Sequence, residues 1–218
     1  VIQEAQNIRL GTVTFEDKYA ETLAGQSATD ISSLPYEWWA LWMVAQDETS
    51  PMAERDDAAT QLLVKAAGGD PHAQYLTGKL YLDGPVLVPD WLTAGYWFDQ
   101  AARQGYSAAQ YELGKLLLTN DPEVCDPVSG IQWLEDAARS GNSYAAYRLG
   151  KEYLKGEIVA KDTVKAMDYL TQSAEIGNQY AQYALGKLYL EEHDQEQARY
   201  WFTQSASQGN AYAQFFLD

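Results

Sequence analysis

Residues 73–82 read Ala-Gln-Tyr-Leu-Thr-Gly-Lys-Leu-Tyr-Leu, and the phrase decides the fold because it returns three more times. It stands as Ala109-Gln-Tyr111-Glu-Leu-Gly114-Lys115-Leu-Leu-Leu, Ala145-Ala-Tyr147-Arg-Leu-Gly150-Lys151-Glu-Tyr-Leu and Ala181-Gln-Tyr183-Ala-Leu-Gly186-Lys187-Leu-Tyr-Leu. Gly78, Gly114, Gly150 and Gly186 are each 36 residues apart, the interval of a helical repeat array. A second phrase is interleaved. It runs Trp97-Phe-Asp-Gln-Ala101-Ala-Arg-Gln-Gly105, then Trp133-Leu-Glu-Asp-Ala137-Ala-Arg-Ser-Gly141. Its later copies are Tyr169-Leu-Thr-Gln-Ser173-Ala-Glu-Ile-Gly177 and Trp201-Phe-Thr-Gln-Ser205-Ala-Ser-Gln-Gly209. The last interval, Gly177 to Gly209, is 32, and the four missing residues fall between Gly186 and Asp194, which marks that stretch as loop.

Both phrases have a helical period. In the first, the positions equivalent to 73, 77, 80 and 81 set Ala, Leu and Tyr on one face. A glycine inside such a helix costs about 1 kcal/mol against alanine. Its return at one phase in four copies predicts close helix–helix approach, with the small pair of the second phrase, such as Ala101-Ala102, making the matching allowance. The glycine that closes the second phrase sits where a left-handed residue ends a helix. Asp90, Asp126, Asp162 and Asp194 recur four residues before Ala94, Gly130, Ala166 and Ala198, as N-caps would, and Pro127 follows at the favoured first position. One unit is therefore helix, loop, capped helix, glycine turn. The expected fold is an all-α, right-handed α-solenoid of antiparallel helix pairs with a period of about 36 residues.

The residues resemble the Sel-one-like repeat family of the tetratricopeptide superfamily. The wording Ala-x-Tyr-x-Leu-Gly-x-x-Tyr, then Asp-x-x-x-Ala-x-x-Trp-x-x-x-Ala-Ala-x-x-Gly, carries the resemblance over residues 54–218. It implies an α-solenoid adaptor for protein complexes whose first helices line a concave groove. The stretch Tyr144–Tyr189 also resembles arrays attached to relaxases of bacterial mobile elements. That implies an alternative: an accessory region of a conjugation or mobilisation protein whose catalytic domain lies outside this chain.

The amino-terminal part is less regular. Residues 32–71 read as a degenerate or capping helix pair: Ser32-Ser33-Leu34-Pro35 opens the first helix, and residues 54–67 form the second, ending at Gly68-Gly69. Trp38, Trp39 and Trp42 either seal the end of the array or bind a ligand. Residues 1–31 form an irregular segment in which Gly11–Phe15 suggests a short strand and Glu16–Leu23 a short helix. Residues 72–218 are the array proper, four full units and the opening of a fifth at Ala211.

Composition narrows the function. The 218 residues carry 31 acidic and 15 basic side chains, a net charge of −16, which disfavours direct nucleic-acid binding and anionic membranes. No apolar run approaches the roughly 20 residues that span a bilayer. Cys125 stands alone, and His72 and His193 lack partners at ligand spacing, so neither metal nor cofactor is expected. Asp56-Asp57, Glu135-Asp136 and Glu191-Glu192 read as solvated faces rather than acid–base pairs. The chain is expected not to be an enzyme. It shows no signal peptide, so a cytoplasmic location is expected, and its start at Val1 reads as an excised fragment.

What remains is surface. Positions equivalent to 72, 76, 79 and 83 form one stripe on the first helix, across from its core face. Position 72 carries His72, Ala108, Tyr144, Tyr180 and Tyr212; position 76 carries Leu76, Glu112, Arg148 and Ala184. Position 79 alone is constant: Lys79, Lys115, Lys151 and Lys187. This row either clamps a carboxylate of a bound peptide or pairs with acids on neighbouring repeats, each stem packed on the Tyr four residues earlier. The expected contact set for a protein or peptide partner with an acidic segment is Lys79, Glu112, Lys115, Tyr144, Arg148, Lys151, Tyr180, Lys187 and Tyr212.

Overall fold

The computed structural model describes residues 36–217, so the short strand and helix expected within residues 1–31 lie outside the described residues. Eleven α-helices and no strand are found among the described residues. They fall into two compact units, divided between Cys125 and Asp126. The first holds α1 (Tyr36–Gln46), α2 (Met52–Ala67), α3 (Pro71–Asp83), α4 (Trp91–Ala102) and α5 (Ser107–Leu117). The second holds α6 (Pro127–Arg139), α7 (Ser143–Lys155), α8 (Thr163–Glu175), α9 (Gln179–Glu191), α10 (Gln195–Ser207) and α11 (Ala211–Phe215).

The helices begin and end on the chemistry of single side chains. Asp90 accepts from the backbone N–H of Leu92 and Thr93, and Asp126, Asp162 and Asp194 each accept from the N–H three residues on. The glycines that close the second phrase, Gly105, Gly141, Gly177 and Gly209, all have φ between 82° and 105°, a region that costs any side chain. The sequence reading missed a second set of caps. Asp70, Asn142, Asn178 and Asn210 directly follow turn glycines and accept two N–H groups each from the helix they open. A Gly-Asx dipeptide thus ends one helix and starts the next. Tyr106 stands in that place before α5 and gives no side-chain cap.

Packing inside each pair corrects one expectation. The recurrent glycine does meet the partner helix closely, but it faces a large side chain, not the small pair. A Cβ on Gly78 would come within 2.6 Å of the Phe98 ring, one on Gly150 within 2.6 Å of Leu170 Cγ, and one on Gly186 within 2.6 Å of the Phe202 ring. The second residue of the second phrase therefore fills the notch, and Phe98 and Leu170 are fully buried there. The small pair serves the other end of the helix: Ser173 Oγ donates to the Ser143 carbonyl and Ser205 Oγ to that of Gln179.

The shortened loop keeps the pair geometry. The N–H of the capping Asp reaches back to one tyrosine carbonyl: Asp90 to Tyr81, Asp162 to Tyr153, and Asp194 to Tyr189 at 2.9 Å. Four residues are excised from the last of these without losing the bond, and His193 makes the tighter turn at φ 64°.

Candidate functional site

The first helices of the repeats are α3 and α5 in one unit and α7, α9 and α11 in the other. Their core faces bury Ala73 and Leu80, Ala109 and Leu113, Ala145 and Leu149, Ala181 and Leu185, and Ala213. This fixes the rotation of each helix and corrects the expected placement of the stripe: positions 72, 76 and 79 flank the core face instead of lying across from it, and Leu76, Ala108 and Glu112 are buried. Its chemistry differs between the two units.

In the first unit the cations are engaged internally. Glu112, buried at 8% exposure, faces both lysines: Lys79 Nζ lies 3.7 Å from Oε1 and Lys115 Nζ 2.8 Å from Oε2. Lys115 also lies over the Tyr111 ring, 5.0 Å from its centroid. One carboxylate is thus held between an ammonium of its own helix and one from the preceding first helix. A buried anion needs that compensation, because leaving it unpaired costs several kcal/mol.

In the second unit the row is open. Lys151 and Lys187 are exposed, and neither has a carboxylate within 4.0 Å among the described residues. Lys151 lies over the Tyr147 ring at 5.5 Å, and that ring packs 6.1 Å from Tyr180, itself half exposed. Arg148 Nε sits 2.8 Å from Glu152 Oε1, off line for a hydrogen bond, so the contact is an ion pair. Glu152 is 1% exposed. Burial, then Tyr180, pushes the Tyr147 hydroxyl above its ordinary pKa, with Arg148 opposing. Tyr212 is exposed and packs 6.3 Å from Tyr183, while Tyr144 is half-buried.

Of the nine expected contact residues, then, Lys79, Glu112 and Lys115 meet as one cluster, Arg148, Lys151 and Tyr180 lie near Tyr147, Tyr144 stands half-buried at the start of α7, and Lys187 and Tyr212 stand on the later first helices. Two participants were not singled out by the sequence reading. Tyr147 was assigned to the constant phrase, and Glu152 occupies a position that is Leu80, Leu116 and Leu188 in the other copies. That departure was a legible signal. Elsewhere, Trp38, Trp39 and Trp42 are buried in α1, with Trp39 and Trp42 stacked at 4.9 Å. Cys125 is an exposed free thiol. No group of three or more His, Cys, Asp or Glu able to hold a metal occurs among the described residues, and no helix among them is long and apolar enough to cross a membrane.

Comparison with known proteins bears on this arrangement. The Sel1 repeat family model matches residues 71–106, 107–142, 143–178 and 179–210. No curated protein matches the chain. Among solved structures, the chain is similar to c5321, a protective antigen present in uropathogenic Escherichia coli strains that displays an SLR fold. The likeness has 29% identity and a TM-score of 0.72, over 93% of this chain and 43% of that one. A Sel1 repeat protein from Oxalobacter formigenes is similar at 28% identity and a TM-score of 0.71, over 87% of this chain and 56% of that one. The chain thus spans less than two thirds of either relative. The immunity protein Pa5087 from Pseudomonas aeruginosa, at 22% identity and a TM-score of 0.57, shares the fold.

Proposed function

This chain belongs to the Sel1 repeat family, and from that premise we propose that it is a non-catalytic interaction scaffold whose first-helix stripe receives a peptide segment bearing acidic side chains. The observation that supports the reading is the contrast within the later first helices. Core positions are committed to packing, while the flanking stripe of α7, α9 and α11 carries the exposed Lys151, Tyr180, Lys187 and Tyr212. Tyr and Arg are the residue types that most often dominate binding energy, and both occur on it. The reading as an accessory array beside a DNA-processing domain gains no support from the likenesses to solved structures, and a net charge of −16 disfavours gripping a phosphate backbone.

The test is selection from a random peptide library on the purified chain, followed by photo-crosslinking of the enriched peptides. Enrichment of Asp or Glu, with crosslinks on α3, α5, α7, α9 or α11, is expected. Crosslinks confined to the second helices, or enrichment without acidic residues, would overturn the assignment.

A further inference from the structure

We propose that recognition of the carboxylate is confined to the second unit, where Arg148, Lys151, Tyr180 and Lys187 take an acidic side chain of an extended peptide beside an aromatic one, and Glu152 positions Arg148. This rests on the scaffold reading above and narrows it to one half of the stripe.

The argument starts from where the cations go. Lys79 and Lys115 are taken up by the buried Glu112, so an incoming carboxylate would compete with an internal one. Lys151 and Lys187 have no such acid among the described residues. One departure from the array's own pattern then meets a residue of the variable stripe in a single copy. Glu152 replaces a core leucine, and Arg148 stands four residues before it where other copies carry Leu76, Glu112 and Ala184. A buried carboxylate is a costly substitute for leucine in a core position. Here it draws the Nε edge of Arg148 inward, and the Nη atoms have no hydrogen-bond partner among the described residues. A guanidinium fixed at one edge presents its other donors in a set direction, which suits a carboxylate.

Local charge and apolar surface agree with this placement. The copy at residues 143–178 has five basic and five acidic residues, whereas the copy at 107–142 has two basic and six acidic. An anion approaching a chain of charge −16 is therefore least opposed here. Tyr180, half exposed and backed by Tyr147, offers the flat face for an aromatic neighbour of the bound acid.

The experiment uses the full chain and a fluorescein-labelled hexapeptide of alternating Glu and Tyr, read by fluorescence anisotropy at about 50 mM salt. The control peptide alternates Gln and Tyr. The wild type is expected to bind the Glu peptide at least about tenfold more tightly than the Gln one, and K151M/K187M to lose about tenfold or more. K79M/E112L/K115M, which removes the first-unit cluster as a whole, should bind within about twofold of wild type. Glu152→Leu, the residue of the other copies, should weaken binding about tenfold without lowering the melting temperature, and Glu152→Gln, which removes the ion pair but keeps the shape, should weaken it by a similar factor. A merely structural Glu152 would leave affinity unchanged in the Leu variant, and that result removes its positioning role. If the wild type binds but the first-unit variant loses as much as K151M/K187M, the confinement is wrong and the scaffold reading stands. If the wild type does not bind the Glu peptide up to about 1 mM, this inference and the acidic-partner reading fall together.

Discussion

Gly150 shows what a single residue contributes. A methyl group there would lie 2.6 Å from Leu170 Cγ, 2.9 Å from its Cδ2 and 3.2 Å from the Ala166 carbonyl oxygen. Two effects oppose each other on substitution by alanine. Helix propensity favours Ala by about 1 kcal/mol, while overpacking a fully buried leucine costs about 1–3 kcal/mol. The backbone oxygen on one side leaves little room to yield, so the steric term should win. Gly150→Ala is expected to lower the melting temperature by circular dichroism, and Gly150→Leu to lower it further. Lys151→Ala, next in sequence but exposed, should stay within about 0.5 kcal/mol of wild type. Equal losses for the Gly150 and Lys151 variants would mean that the notch against Leu170 is not tight.

At the scale of elements, successive helix pairs are joined by a recurrent glutamine. Gln74, Gln110 and Gln182 each donate Nε2 to a carbonyl at the end of the preceding helix, that of Ala66, Ala102 and Ala174. The copy at 143–178 has Ala146 instead, and there Gln172 reaches back 2.7 Å to the equivalent carbonyl of Ala138. The contact is kept although its donor has moved to another helix. Each carbonyl also accepts a turn-glycine N–H, so losing the glutamine does not orphan the oxygen, although Gln74 and Gln182 also accept from Gln104 and Gln208. Gln182→Ala and Gln172→Ala are each expected to cost about 1 kcal/mol by urea denaturation. Gln100→Ala, the position equivalent to 172 in the first copy, should cost less than about 0.5 kcal/mol, because Gln100 donates only to Asp99 at 3.5 Å. The capping acids add a pH dependence. The Ser129 hydroxyl, then the backbone N–H of Ser129, holds the Asp126 carboxyl below its ordinary pKa, and Thr93 does the same for Asp90. A depressed folded pKa stabilises above the unfolded carboxylate value and is lost as pH falls through the folded one. Asp126→Asn keeps the acceptor without the titration. Its melting temperature should therefore fall less than that of wild type between about pH 5 and pH 2.

For the whole molecule, the excess of acidic residues sets how the fold responds to its medium. A net charge of −16 on 218 residues repels itself in the compact state, and the ion pairs that offset it among the described residues are few and mostly local on one helix. Raising NaCl from about 20 mM to about 300 mM shortens the screening length to a few ångströms and should raise the melting temperature. Surface pairs such as Arg103–Asp99 and Arg139–Asp136 weaken over the same range, but exposed pairs contribute little. A melting temperature that falls with salt would show that ion pairing outweighs self-repulsion.

The linear sequence by itself determined the repeat, the phase of the helices, the capping aspartates and the glycine turns. These depend on contacts within about four residues, so spacing alone encodes them. It also showed which stripe varies from copy to copy, although the burial of Leu76, Ala108 and Glu112 shows that variation does not by itself mark a free surface. The fate of the lysine row was decided only in three dimensions. All four lysines share one phase, yet Lys79 pairs with Glu112 on the next first helix while Lys151 pairs with no carboxylate among the described residues. An ion pair depends on how closely two helices approach and on which rotamers reach across, and neither is written in spacing along the chain. The same holds for the glycine notch: the sequence announced a close approach, and packing chose Phe98, Leu170 and Phe202 rather than the small pair to fill it.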